Sequence, residues 1–127
     1  MTVPALIARG RRLAEALMVD TVSIARPGDP DPLTGRPTMT NVYAGKAKIQ
    51  TYQAQEARPE AGGHVYTVQR YAVHVPVGAY SPAVGDVVTV TVGTLDPLLT
   101  DRTFRVVALL HKSMATAYRL AVEEVVA

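Results

Sequence analysis

The residue types that most often carry catalysis or hold metals are few in this chain, and they do not converge. Three histidines, His64, His74 and His111, stand far apart, and none begins a pair with metal-ligand spacing. His64 reads as a loop residue, His74 as a strand residue and His111 as a strand end. Each is expected to be solvated or hydrogen-bonded. Ser81 and Ser113 lack the Gly-x-Ser-x-Gly turn that exposes a hydrolase nucleophile. Asp96 and Asp101 flank Pro97-Leu98-Leu99, a carboxylate pair better suited to turn capping than to general acid–base work. Asp29 and Asp31 alternate like calcium-loop ligands, but prolines interleave them and the later acidic ligands are missing. Nothing like Gly-Lys-Ser follows Gly62-Gly63, so the pair is no phosphate loop. The expectation is a non-enzyme with no catalytic residue, no metal site and no cofactor.

The elements that would have to position such groups are mostly strands. The central stretch, Val84 to Leu110, reads as two strands and a loop. Val88, Val90 and Val92 alternate with Val87, Thr89 and Thr91, and Phe104, Val106 and Ala108 alternate with Thr103, Arg105 and Val107. Asp20–Arg26, Met39–Tyr52, Val65–Val77 and Thr116–Val126 repeat the period-two pattern, with a phase change across Gly45 that predicts a bulge there. Residues 3–18 read as a helix, with Thr2 as N-cap and Pro4 in the first turn. Leu6, Leu13 and Leu17, with Gly10 between, fall on one side of it with Ile7 and Ala14 beside them, and Arg11 and Glu15 form an i,i+4 pair. The expectation is that this apolar side packs on the chain's own sheet.

Residues 27–38 hold four prolines and two glycines, with Gly35 suited to a positive-φ turn position. Residues 53–64 are polar around Pro59 and Gly62-Gly63. Both read as long, mobile loops, of a length that is uncommon in compact domains. One helix and about six strands make a mainly-β single domain, a small antiparallel barrel or sandwich with two long loops.

Composition narrows the class further. At 48% hydrophobic and 19% charged, the chain can bury a core, and with one phenylalanine and no tryptophan that core is aliphatic. No cysteine is present, which excludes thiolate metal sites and disulfides and suits a reducing cytoplasm. No run has the length of a membrane span, and the first residues lack a signal peptide's apolar segment, so no membrane association is expected. The net charge of +2 is mild, and residues 1–50 carry seven basic against four acidic groups. A basic barrel could bind single-stranded nucleic acid, with Lys46, Lys48 and Arg70 beside Tyr43, Tyr52, Tyr66 and Tyr71. The tyrosines and lysines alternate onto mixed faces, however, and residues 51–100 are acidic on balance.

Several segments taken in order are more specific than any alone. They are Asp29-Pro-Asp-Pro-Leu-Thr-Gly35 after a first strand, Val42-Tyr-Ala-Gly45 leading into the second, and Val84-Gly-Asp-Val-Val88. Arg102-Thr-Phe-Arg-Val106, Val107-Ala-Leu-Leu-His-Lys-Ser113 and Ala117-Tyr-Arg-Leu-Ala-Val-Glu-Glu124 follow. With this arrangement the chain resembles the head–tail joining proteins of tailed bacteriophages, the stopper or head-closure components of the neck, in the form found in phages of actinobacteria. The resemblance implies a β-barrel subunit in a homo-oligomeric ring below the portal and its adaptor. On the tail side it would meet a tail terminator or tail completion protein, with packaged DNA held non-specifically in the lumen. It places the protein in the virion neck, assembled in the bacterial cytoplasm. By position it assigns a channel-gating role to Gln53, Gln55, Glu56, Arg58, Glu60, Gly62 and Gly63. Contacts to neighbours or to the portal and adaptor would fall to Arg9, Arg11, Arg12, Asp29, Asp31, Leu33, Arg36, Lys46 and Lys48. Two alternatives remain at this point: a tail terminator ring, and an OB-like barrel for single-stranded nucleic acid.

Overall fold

The computed structural model describes residues 2–57 and 66–125, with the backbone alone at 52–57 and 66–69. Helix α1 (Val3–Ala16) precedes six strands: β1 (Asp20–Pro30), β2 (Pro37–Ala57), β3 (Tyr66–Val75), β4 (Val87–Val92), β5 (Thr103–Leu110) and β6 (Tyr118–Glu124). They close into an antiparallel barrel in the order β1-β2-β3-β6-β5-β4. The expected mainly-β fold is thus a barrel rather than an open sandwich, and closure leaves its body no unpaired edge.

The core follows from the alternation. Val22 and Ile24, Val73 and Val75, Val88 and Val90, Phe104 and Val106, and Leu120 and Val122 point inward from five strands, and β2 adds Ala47. Each fully buried side chain of this size contributes roughly 1.5–3 kcal/mol relative to exposure. Tyr71 leans on Phe104 with ring centroids 5.3 Å apart and planes tilted by 54°. On β4 the pattern stops early, because Val92 is half exposed. On β5 a register shift between Val106 and Ala108 reverses the phase, so Leu109, not Ala108, packs against the core.

Four expectations about local structure change. The bulge in β2 lies at Val42, where Ile24 pairs Tyr43 and Ala25 pairs Asn41, and not at Gly45, which pairs Val22 in register. Gly45 has another reason: a Cβ there would lie 2.8 Å from the Tyr43 hydroxyl, which folds back to donate to the Lys46 carbonyl at 2.7 Å. The first long loop is half strand. β1 runs to Pro30 and β2 starts at Pro37, and the turn between them holds Gly35 at φ 72°. The second is also partly strand, since Ala54–Ala57 pair with Tyr66–Gln69; residues 58–64 lie outside the described residues.

The helix is the fourth change. Thr2 caps it, accepting from the Ala5 N–H at 3.3 Å, but none of its residues is buried. Leu6, Leu13 and Leu17 are all more than half exposed, so the leucines of the predicted side do not pack on the sheet, while Gly10, Ile7 and Ala14 are half-buried. Arg11 and Glu15 are half-buried with them. Gly10 permits a close approach, since a Cβ there would lie 3.0 Å from Thr116 Cγ2. The expected Arg11–Glu15 pair is replaced by tertiary contacts. Arg11 donates to the Ala115 carbonyl at 3.2 Å, and Glu15 pairs with Lys46 at 3.1 Å.

Antiparallel order fixes which connections share an end of the barrel. The β1–β2 hairpin tip lies at the same end as the β3–β4 and β5–β6 connections. The β2–β3 hairpin and the β4–β5 loop, with its short helical turn Pro97–Leu99, lie at the other. At the first end Asp86, 1% exposed, ties the β3–β4 connection to β1. It accepts from Arg26 at 2.8 and 3.0 Å and from the Ala83 N–H at 2.9 Å. Tyr80 from the same connection stacks on Tyr43 at 5.7 Å. Burial, with Asp86 nearby, pushes the Tyr80 phenol far above its ordinary range.

Candidate functional site

Two surface features stand out once the barrel is closed. The first is a cationic row on its outer wall. Lys48 on β2 is the cross-strand partner of His74 on β3, and His74 is the partner of Arg119 on β6. Alternation sends all three side chains outward, because their neighbours Ala47, Val73, Val75 and Leu120 point in. Leu110 on β5 extends the row, and Gln50 and the buried Ala72 complete a groove of about 360 Å³. The small Ala72 makes the floor, which is why the wall is concave here.

The electrostatics of this row are uncompensated. Arg26, Arg102, Arg105 and Lys46 each have an acidic partner: Asp86, Glu124, Glu123 and Glu15. Lys48 and Arg119 have none among the described residues, and the buried Nε of Arg119 has no hydrogen-bond acceptor there. Burial, then Lys48, then Arg119 lower the His74 pKa to about 4, so its ring is neutral at neutral pH. Like charges on facing strands oppose folding, and a buried donor without a partner costs roughly 1–3 kcal/mol.

The second feature is the β1–β2 tip. Asp31 accepts from the Leu33 N–H at 2.8 Å, and its own N–H donates to the Arg36 carbonyl at 2.7 Å, which closes the turn. Leu33 is 95% exposed at its apex. The carboxylates of Asp29 and Asp31 have no ion-pair partner among the described residues, and Arg36 is the one cation on the turn.

The residues expected to act are therefore dispersed. Asp29, Asp31, Leu33 and Arg36 do come together at the tip, and Lys48 joins the row. Lys46 is engaged by Glu15 and Arg11 by the Ala115 carbonyl, while Arg9 and Arg12 are exposed on the helix. Gln53, Gln55 and Glu56 are strand residues of β2, contrary to the expected loop, and Arg58, Glu60, Gly62 and Gly63 lie outside the described residues. For nucleic-acid stacking, Tyr43 and Tyr71 are engaged by Tyr80 and Phe104. His74, Arg119 and Leu110 were not among the expected contact residues. Strand alternation sets His74 opposite Val73 and Val75 and Arg119 opposite Leu120, but only the β2-β3-β6-β5 order aligns them. Among the described residues no group of three or more His, Asp or Glu side chains could hold a metal, and no helix is long and apolar enough to cross a membrane.

The described residues thus form a six-stranded closed barrel with hairpin extensions, a peripheral helix and surface charge clusters. The chain belongs to a family of unknown function, DUF6093, whose sequence profile matches residues 10–123. No curated protein and no solved structure matches it.

Proposed function

We propose that this chain is a structural subunit of the tailed-bacteriophage neck. Copies of it form a ring below the portal and adaptor, close the DNA-filled head and present the surface to which the tail attaches. The observation that supports this most is the division of the molecule into a closed barrel and two hairpins that leave its opposite ends. A ring subunit needs a body that keeps its shape and extensions that reach its neighbours. Leu33 at one end, and Leu95 and Leu98 at the other, are 95%, 82% and 76% exposed and offer apolar contact points at both. The sequence resemblance supplies the phage context and the partners: portal or adaptor on one side, a tail protein on the other, DNA in the lumen. On this reading the protein resides in the virion neck after assembly in the host cytoplasm.

Electron microscopy of particles made without this protein tests the reading. Heads that have lost their DNA, beside free tails of normal length, are expected. Filled heads with tails of irregular length would make it a tail terminator instead. Infectious virions of ordinary appearance would overturn the neck assignment. A single-strand-binding barrel is the reading from another class, and the engagement of Tyr43 and Tyr71 weighs against it. Salt-sensitive oligonucleotide binding that Lys46→Ala and Lys48→Ala abolish would favour it.

A further inference from the structure

We propose that the β1–β2 tip of one copy docks in the cationic groove of the next, with Asp29 and Asp31 facing Lys48, His74 and Arg119, and Leu33 entering the apolar continuation beside Leu110. The inference rests on the ring reading above and names the contact that closes the ring.

Charge, shape and position each carry part of the argument. The groove presents two cations without an acidic partner among the described residues and a buried guanidinium Nε without an acceptor. The tip presents two carboxylates with no ion-pair partner among the described residues, and one cation, Arg36. The other carboxylates at that end or on the barrel wall are already taken: Asp86 by Arg26, Glu15 by Lys46, Glu123 by Arg105 and Glu124 by Arg102. Asp96 and Asp101 belong to the β4–β5 loop at the far end.

The groove also suits a leucine. Leu110 and Arg119 border a second hollow of about 320 Å³, lined by Pro82, Leu109, Ala115 and Ala117 and also by Ser81, His111 and Lys112. That is about twice the ~150 Å³ known to admit a benzene ring. Leu33 at the apex of the tip is exposed and free to enter such a hollow. Strand spacing of about 4.8 Å puts Lys48 and Arg119 about 10 Å apart across His74, enough to seat two carboxylates two residues apart. Finally, the tip shares its end of the barrel with the β3–β4 and β5–β6 connections that line this hollow. Such a head-to-tail contact uses different surfaces on the two copies and closes as a ring.

The chain has no cysteine of its own, so the pair Leu33→Cys and Leu110→Cys reports on this contact directly. Both sites are exposed, and the full-length double variant is expected to fold. Mild oxidation should then give a ladder of covalent multiples ending in a closed ring, while each single variant gives at most a dimer. Sedimentation velocity of the cysteine-free chain is run alongside. Rings without a ladder would overturn this contact and leave the ring reading standing. A ladder that grows without closing would support the contact and sink the ring. A chain that stays monomeric with no ladder, or that forms only an intrachain disulfide, would overturn the contact and count against both. As a second arm, Asp31→Arg and Arg119→Asp should each weaken association at least tenfold, and the two together should restore it. Failure of the combined variant to recover would overturn the charge pairing.

Discussion

Replacing Arg119 by glutamate should make the isolated protein more stable, most of all in mild acid. The variant removes a buried Nε that has no acceptor among the described residues. It also places a carboxylate directly across from His74. At pH 7.5 His74 is neutral in either chain, so the gain there comes from the orphaned donor alone, about 1 kcal/mol. The acid limb adds more. The folded His74 pKa of about 4 lies below the 6.5 of the unfolded chain, so the unfolded state takes up a proton first. Stability is therefore complete above pH 6.5 and falls as the pH drops toward 4, with a slope of at most about 1.4 kcal/mol per unit.

The causes of the depression are burial, Lys48 from β2 and Arg119 from β6, and among the described residues no carboxylate faces the ring. Glutamate at 119 reverses the last of these and should raise the His74 pKa by about one unit or more. Together with the gain from the orphaned donor, the advantage over the unsubstituted chain at pH 5 is roughly 1.4 kcal/mol. Urea melts at the two pH values measure it, with His74 followed by proton NMR and assigned through His74→Gln. A variant less stable than the parent at both pH values would refute the reasoning, as would a parental His74 that titrates near 6.5.

Phe104→Ala should lose about 3–5 kcal/mol in urea melts, since Phe104 is fully buried and is the one large ring of an aliphatic core. A loss below about 1 kcal/mol would mean that the barrel interior is packed differently. Gly93→Ala should lower the thermal midpoint by roughly 5 °C or more, because the added Cβ would lie 2.4 Å from the backbone oxygen of Asp96. Calorimetry with an unchanged midpoint would contradict that close approach. Asp86→Asn should also lower the midpoint and free the Tyr80 connection, seen as a weakened near-ultraviolet tyrosine signal. Retention of both would show that the Arg26 pairing contributes nothing to folding. Thr2→Ala, at an exposed cap, should cost only about 0.5–2 kcal/mol of helix stability, visible as faster amide exchange in the first turn.

Much of the barrel was legible because inward and outward residues alternate in plain sight, as at Val73 and Val75 or Val88 and Val90. The turn at Gly35 was legible for the same local reason: a positive φ calls for glycine. What was hidden depends on pairing at a distance. Hairpin extensions held by backbone bonds need no apolar pattern, so the prolines of 27–38 and the polar 53–57 concealed strands. The Val42 bulge leaves no residue of special type behind. Nothing local marks Asp86 as an anchor, because its partner Arg26 is 60 positions away. The cationic row was hidden most deeply. His74 and Arg119 become neighbours only because closure sets β6 beside β3, and period-two reading says nothing of strand order.

One strand, β2, belongs to both hairpins, and its 21 residues run from the tip at one end of the barrel to the hairpin at the other. Its two register shifts, at Val42 and between Thr51 and Ala54, bracket the stretch that lines the barrel. That middle stretch spans roughly 25–30 Å. It cannot slide, because a one-residue slip would turn Lys46 and Lys48 into the core and Ala47 out. The shifts are where the strand can bend. Mechanically, β2 is a rod with a joint at each end. A load on one hairpin can change its inclination at the joint, and an axial pull on β2 is shared with β1 and β3 through the ladders that hold it.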